Sequence, residues 1–388
     1  MDIYILDSLL RRDTLVDKYL SFIWTDRFQA YGDFELVLPS TPNNRRLFTA
    51  GVKLACSESK YMMEVKTLED TTDTEGKAAY KVSGVSFEEL LESRVAAAML
   101  DDTTTSPSWV ITNTPGEICR KIFHDICVTG TLSVHDRIPF IMEGNIMPVN
   151  TIPEPVDVIT VELTPQSVYS ALKQLCETWT LGFRLLRNDD LSQIYFDIYS
   201  GSDRTTLQDD LPAVVFAPEL DNLQNTTELR STANYRNCAY VFSPAGYLTV
   251  YPPDVNPEVE GFDRRVMPVD ASDITTDNPD VPAALLQRGL EALSQQRSIA
   301  AFDGEINPNS SYKYGTHYFL GDLVEVRNAD GVTNQMRVTE QIFVSDSEGE
   351  RTYPTLAVAL TIDTGTWLSW ETAQVWEDLG PTEYWETA

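Results

Sequence analysis

Phe34, Leu36 and Leu38 alternate with Asp33, Glu35 and Val37 in the stretch YGDFELVLP. Only an extended chain puts every second side chain on one face, so this stretch predicts a half-buried strand. The same kind of segment surrounds it: DIYIL and SFIWTDRF before it, VKLACSES, YMMEVKTLED and KAAYKVSGVSF after it. Gly32-Asp33 marks a turn or bulge at a strand start, and the polar run TTDTEGK marks a hairpin tip. Residues 1–85 therefore read as a small antiparallel sheet closing into a barrel. Ser86-Phe87-Glu88-Glu89 has the Ser-to-Glu spacing of a capping box, and Leu90, Leu91, Val95 and Met99 follow at helical spacing. A helix is expected to close this first sheet before the polar break DDTTTSPS.

The pattern then changes period. Thr114-Pro115-Gly116-Glu117 is a second capping box with Pro at the first helical position. Behind it Ile118, Ile122 and Ile126 form one stripe, with Cys119, Phe123 and Cys127 beside it. Thr164-Pro165 opens another helix with Val168, Leu172, Leu175 and Trp179 on its apolar face. LGFRLLRNDDLSQIYFDIY reads as a hairpin turning at Asn188-Asp189-Asp190. From about Leu211 strand signals return. Residues 252–282 carry six prolines and eight acids, which predicts a long irregular excursion. A helix from Pro282 to Gln296 follows, with Leu286, Leu290 and Leu293 in register. Asp330-Gly331 is a hairpin turn, and Met336, Val338, Ile342 and Val344 share a strand face beyond it. The fold class is α+β, predominantly antiparallel β. The expected domains are a β-barrel at 1–100, an α+β domain at 101–210, a second barrel at 211–365 and an acidic aromatic tail at 366–388.

Composition narrows the chemistry. The chain has 388 residues, with 59 acidic against 29 basic ones and a net charge of −30. Such a surface repels phosphate and anionic lipid, which argues against tight nucleic-acid or membrane binding. No apolar run approaches the ~18 residues of a spanning helix, and the N-terminus lacks the basic region of a signal peptide. Cys56, Cys119, Cys127, Cys176 and Cys238 are odd in number and form no C-x-x-C pair, which points to a reducing site of synthesis. His124, His135 and His317 lie far apart in sequence, without metal-site spacing. No nucleophile elbow, phosphate loop or dinucleotide fingerprint is present. The sequence thus calls for no catalytic residue, cofactor or metal. Tyr312, Tyr314, Tyr318 and Phe319 could line a sugar site, although aromatics at this spacing more often pack a sheet.

Three stretches taken together resemble a family. They are YGDFELVLP at Tyr31–Pro39, LRSTANYRNCAYVFSPAG at Leu229–Gly246, and YFLGDLVEVRNADGVTNQMRVTEQIF at Tyr318–Phe343. In this order and at these separations they are similar to the baseplate-hub or minor tail proteins of long-tailed bacteriophages, particularly siphophages of actinobacterial hosts. The resemblance implies a non-enzymatic, homotrimeric hub at the tail tip. Each subunit would supply two barrels like those of the tail tube. Its partners would be itself, the tail tube or distal tail protein, and other tail-tip or fibre proteins. Genome DNA would pass an acidic lumen without tight binding. The protein would be made in the host cytoplasm and end in the virion. The rival readings are a carbohydrate-binding tail protein and a cell-wall hydrolase. The tail holds Trp367, Trp370, Trp376, Tyr384 and Trp385 among acids and without a Lys or Arg, and these five are the candidate partner-docking residues.

Overall fold

The computed structural model describes residues 1–72, 78–99, 108–141, 154–188, 193–252, 255–278, 280–296, 299–306, 312–327 and 333–358. Within them the fold is mainly antiparallel β with few helices, as the sequence patterns require. The strand Asp33–Pro39 buries Phe34, Leu36 and Leu38 and leaves the residues between them half-covered. It pairs with Ser21–Arg27 on one side and Ala78–Ser86 on the other. From there a sheet of thirteen strands extends both ways. Toward one end it runs through Met62–Thr72, Lys53–Cys56 and Ile3–Leu6 to Arg12–Val16. Toward the other it runs through Thr333–Asp346, Gly349–Val358 and Ile299–Ile306 to Leu223–Ser231.

The step between Ser21–Arg27 and Thr333–Asp346 joins segments of the chain more than 300 residues apart, with Trp24 opposite Phe343 and Thr25 opposite Ile342. One apolar core accordingly mixes both chain ends: Phe22, Trp24, Leu36 and Val82 pack with Tyr318, Val324, Val338 and Leu356. The two barrels anticipated at 1–100 and 211–365 share this one sheet, and among the described residues no pairing closes either of them.

The hairpins whose tips the sequence marks are present as paired strands. Met62–Thr72 pairs with Ala78–Ser86, Gly182–Asn188 with Gln193–Tyr199, and Leu323–Arg327 with Thr333–Asp346. The tip residues 73–77, 189–190 and 330–331 lie outside the described residues.

A second core holds the middle of the chain. The helix Pro115–Phe123 continues as a π-turn over His124–Thr129, and its Ile118, Cys119, Ile122, Phe123, Ile126 and Cys127 are all buried. They pack with the helix Val168–Trp179 and the hairpin Gly182–Tyr199. The helix predicted from Thr164 begins at Val168, because Ser167 accepts the Ser170 N–H and caps it there.

Four other expectations change. Met336, Val338, Ile342 and Val344 do not share a face, because a register shift between Val338 and Glu340 turns Gln341 and Phe343 inward in place of Ile342 and Val344. The predicted helix after Ser86 is a short 3-10 turn, Phe87–Ser93, ended by the strand Val95–Ala96. Its capping box does not form, because the Ser86 hydroxyl is turned to Gly32 and Glu88 instead. The excursion at 252–282 is not wholly irregular: Val266–Asp270 lies parallel to Cys238–Ser243 and completes a three-stranded sheet with Gly246–Val250. The helix Val281–Ser294 covers this small sheet through Ala284, Leu285, Gly289 and Leu293, while Leu286 is 45% exposed. Its buried face is thus turned by about one residue from the predicted one. Gly289 sets that rotation, since a Cβ there would sit 2.6 Å from a Val250 methyl.

Candidate interaction surfaces and the interior polar junction

Three stretches of the chain meet around Phe28. Its backbone N–H donates to the Thr339 carbonyl and its carbonyl accepts from Phe183 N–H. Its ring stands edge-on to Tyr199 at 5.2 Å and lies beneath the Arg337 guanidinium at 5.5 Å. Glycines allow the approach: a Cβ on Gly182 would fall 2.2 Å from the Phe28 ring, and one on Gly201 would fall 2.1 Å from the Gly321 carbonyl. Arg337 is buried and donates to the carbonyls of Ser200 (2.6 Å) and Gly321. Burial pulls its pKa down to about 10. Asp322 accepts from Ser202 N–H and Arg204 Nε, both at 2.8 Å, so the turn at 200–204 is clamped to the strand entry at 319–323.

A second knot lies on the N-terminal side. Asp26 is fully buried and accepts from the Trp24 indole N–H at 2.8 Å and the Ser59 hydroxyl at 2.7 Å. Glu88, also fully buried, accepts from Leu185 N–H at 2.5 Å and from the Ser86 hydroxyl, which in turn accepts from Gly32 N–H. Burial pushes both carboxyls up to about 7, with the hydrogen bonds pulling the other way. Each carboxyl is held by hydrogen bonds from two neighbours, and what that arrangement supplies is bracing. The sequence pattern reads Gly32 as a turn and Ser86 as a cap. Gly32 is instead required by closeness, since its Cβ would lie 2.1 Å from the Thr25 carbonyl.

The remaining chemical candidates resolve simply. Among the described residues no group of His, Cys, Asp and Glu is arranged to hold a metal ion. All five cysteines are free and buried, and burial pushes the thiols of Cys56 and Cys127 up to about 12, far from a reactive thiolate. His124 is exposed beside Asp125. Tyr318 is buried against Phe216, and Tyr314 packs on Tyr318 and Phe343, so these two rings line the core, while Phe319 is 40% exposed. No helix among the described residues is long and apolar enough to cross a membrane. Trp367, Trp370, Trp376, Tyr384 and Trp385 lie outside the described residues.

What the fold does offer is surface for association. Arg12–Val16 and Leu223–Ser231 end the large sheet, each with one edge unpaired among the described strands. Leu9, Leu15 and Leu20 are each roughly half exposed around the first of these edges. On the small sheet, Phe242 and Tyr247 face each other across paired strands with their rings outward.

The family profile described as "Siphovirus ReqiPepy6 Gp37-like protein" matches residues 2–356. No curated protein matches the sequence. Among solved structures, the tail protein from Neisseria meningitidis MC58 has a similar fold, with a TM-score of 0.56 at 12% identity over 92% of this chain and 96% of that one. The 43 kDa tail protein of prophage MuSo2 from Shewanella oneidensis aligns with a TM-score of 0.51 at 12% identity, covering 92% of this chain and 97% of that one.

Proposed function

The chain belongs to the Siphovirus ReqiPepy6 Gp37-like family, and from that premise, with the fold it shares with phage tail proteins, we propose that it is a non-enzymatic structural hub of a siphophage tail tip. The observation that carries the proposal is a sheet left unpaired at both ends among the described strands. The edge at Arg12–Val16 and the edge at Leu223–Ser231 are different surfaces, so copies joined through them associate head to tail. Such contacts build a closed ring when the rotation between copies divides a full turn. The resemblance to tail hubs supplies three as the number of copies. The hub would join the tail tube to other tail-tip proteins within the virion.

The charge supports a passage role. A wall carrying a large acidic excess repels phosphate and lets duplex DNA slide by without adhering. The interior junction supports a bracing role, because a ring that transmits strain needs subunits whose halves do not slip. Electron microscopy of the intact tail tip tests the proposal by counting copies around the axis. Three copies are expected, with acids outnumbering bases on the inner wall. Two or six copies, or a basic lumen, would overturn it.

A further inference from the structure

The short turn Gly261–Asp263 holds Phe262 fully exposed to solvent. Hydrogen bonds fix the turn from both sides. Asn237 donates its side-chain amide to the Asp263 carbonyl at 2.8 Å, and Arg264 donates to the Val259 carbonyl at 3.2 Å. Gly261, at a φ of +64°, lets the chain turn there. A ring presented on a preset turn loses little freedom on binding, which suits it as an interface anchor. Glu258, Glu260 and Asp263 flank it in sequence and are exposed, and none of the three meets a base among the described residues.

A matching cleft lies at the opposite edge of the large sheet. It has a volume of about 350 Å³ and runs beside the edge strand Arg12–Val16, lined by Leu15, Val16, Pro39, Leu47 and Phe48 together with the exposed Lys18. That is the small end of the range for ligand cavities, which begins at ~300 Å³, and it has room for one phenyl ring. Asn43, on the helix Pro42–Leu47, also lines the cleft and accepts from Arg46 at 3.1 Å. Lys18 and Arg46 meet no carboxylate among the described residues, and Asp17 is the one acid in the lining. An apolar cleft beside two free cations complements an apolar ring among three free acids.

Strand direction brings the two features together. Ten antiparallel pairings separate Leu223–Ser231 from Arg12–Val16, so the two edge strands run the same way. Rotation about an axis along the strands keeps that direction. Copies joined edge to edge therefore meet in parallel, with both C-terminal ends at the same end of the contact. The cleft lies at the C-terminal end of its strand, where residues from Thr14 to Lys18 line it. The turn lies at the C-terminal end of the other strand: Arg265, two residues past Asp263, donates to the carbonyl of Thr232, which follows Ser231.

We propose that Phe262 of one copy fills the cleft beside Arg12–Val16 of the next, with Glu258, Glu260 and Asp263 set against Lys18 and Arg46. The proposal rests on the head-to-tail ring of the preceding subsection and names the side chains that lock it.

Photo-crosslinking in assembled tail tips tests it. Full-length protein carrying benzoyl-phenylalanine in place of Phe262 is supplied as a pool of light and isotope-heavy chains, and the tips are irradiated and digested. Crosslinks from position 262 to peptides spanning 14–18 or 41–48 are expected, some of them pairing light with heavy halves. Pairs confined to one isotope would overturn the proposal in favour of a contact within the chain. Crosslinks to other peptides, in tips where electron microscopy still counts copies in a ring, would overturn the docking and leave the ring standing. Copies not arranged in a ring would overturn both. Charge reversal gives a second reading. Glu260→Lys with Asp263→Lys should lower incorporation into tail tips at least about tenfold, since like charges would then face each other. Adding Lys18→Glu and Arg46→Glu to the same chain should restore it. Loss without rescue, or no loss at all, would count against the docking as firmly as misplaced crosslinks.

Discussion

The large sheet and the small sheet are built from similar strands, yet they are held by different means. Around Phe28 the large sheet buries charged and polar groups: Asp26, Glu88, Asp322, Arg337. The small sheet's apolar core is Ala, Val, Leu and Ile, the buried polar side chains beside it, Asn237 and Gln287, are uncharged, and its aromatics lie outside. The contrast follows from what each must join. The large sheet unites segments from both ends of the chain, and apolar contact alone does not fix their register, whereas hydrogen-bonded groups of one geometry do. The small sheet is assembled from residues 238–294, needs no such long-range specification, and is left with a face to offer.

The largest break in this contrast should come from Gly84. A Cβ there would sit 1.9 Å from the Glu64 carbonyl and 2.7 Å from the Phe34 ring, so Gly84→Ala must push neighbouring strands apart. Overpacking of that kind costs about 3 kcal/mol. Gly246 in the small sheet is the control. Its added Cβ would meet nothing within 4 Å, and only its φ of +138° resists substitution, so Gly246→Ala should cost about 1 kcal/mol. Denaturant midpoints of the two variants measure the difference.

Arg337→Met should come next. It keeps much of the apolar stem over Phe28 but leaves the Ser200 and Gly321 carbonyls without their donor. Unsatisfied buried carbonyls cost about 1–3 kcal/mol. Arg265→Met in the small sheet removes only an exposed contact with the Thr232 carbonyl, and should change the unfolding free energy by less than about 0.5 kcal/mol.

The buried carboxyls give the contrast a pH signature. Asp26 and Glu88 have folded pKa values pushed up to about 7, against about 4 in an unfolded chain. Between those values the folded form holds protons that the unfolded form has released, so stability falls as pH rises. Their contribution is complete below about pH 4 and lost above about pH 7. Asp26→Asn removes one of the two titrations, since an amide can still accept from Trp24 and donate to the Ser59 hydroxyl. The variant should melt higher than the parent at about pH 8 and show a shallower decline of Tm from about pH 5 to pH 8. An unchanged slope would mean that Asp26 is ionised throughout.

How much of this is legible in the sequence depends on range. The alternation in Asp33–Pro39, the Ile118, Ile122 and Ile126 stripe and the paired strands of the hairpins are local patterns, and each forms as its period requires. The join between Ser21–Arg27 and Thr333–Asp346 is not legible, because no local signal says which distant strand fills an open edge. The roles of Ser86 and Glu88 escape sequence reading for the same reason. Ser86 and Glu89 have the spacing of a capping box, but the Ser86 oxygen accepts from Gly32 instead, and Glu88 accepts from Leu185, both partners from elsewhere in the chain. The Phe28 junction leaves only a faint trace, in glycines at 182, 201 and 321 that no turn motif explains. A fold-level resemblance, by contrast, is carried by three spaced stretches and reaches the family without any of these contacts.

A last contrast lies in one register. Sequence periodicity puts Leu286, Leu290 and Leu293 on the apolar face of the helix Val281–Ser294, but Leu285 is 3% exposed and Leu286 45% exposed. Both choices satisfy a helical repeat, because neighbouring residues differ by only about 100° and Leu290 and Leu293 lie between the two arcs. Gly289 decides: its bare Cα against Val250 and Val241 turns Leu285 inward with it. Leu285→Ala should therefore cost about 2–3 kcal/mol, whereas Leu286→Gln should stay within about 0.5 kcal/mol of the parent. Equal losses at both positions would place the helix axis midway between the two readings. A larger loss at Leu286 would mean that its exposed side is covered in solution, and mass measurement of that variant would tell whether another copy covers it.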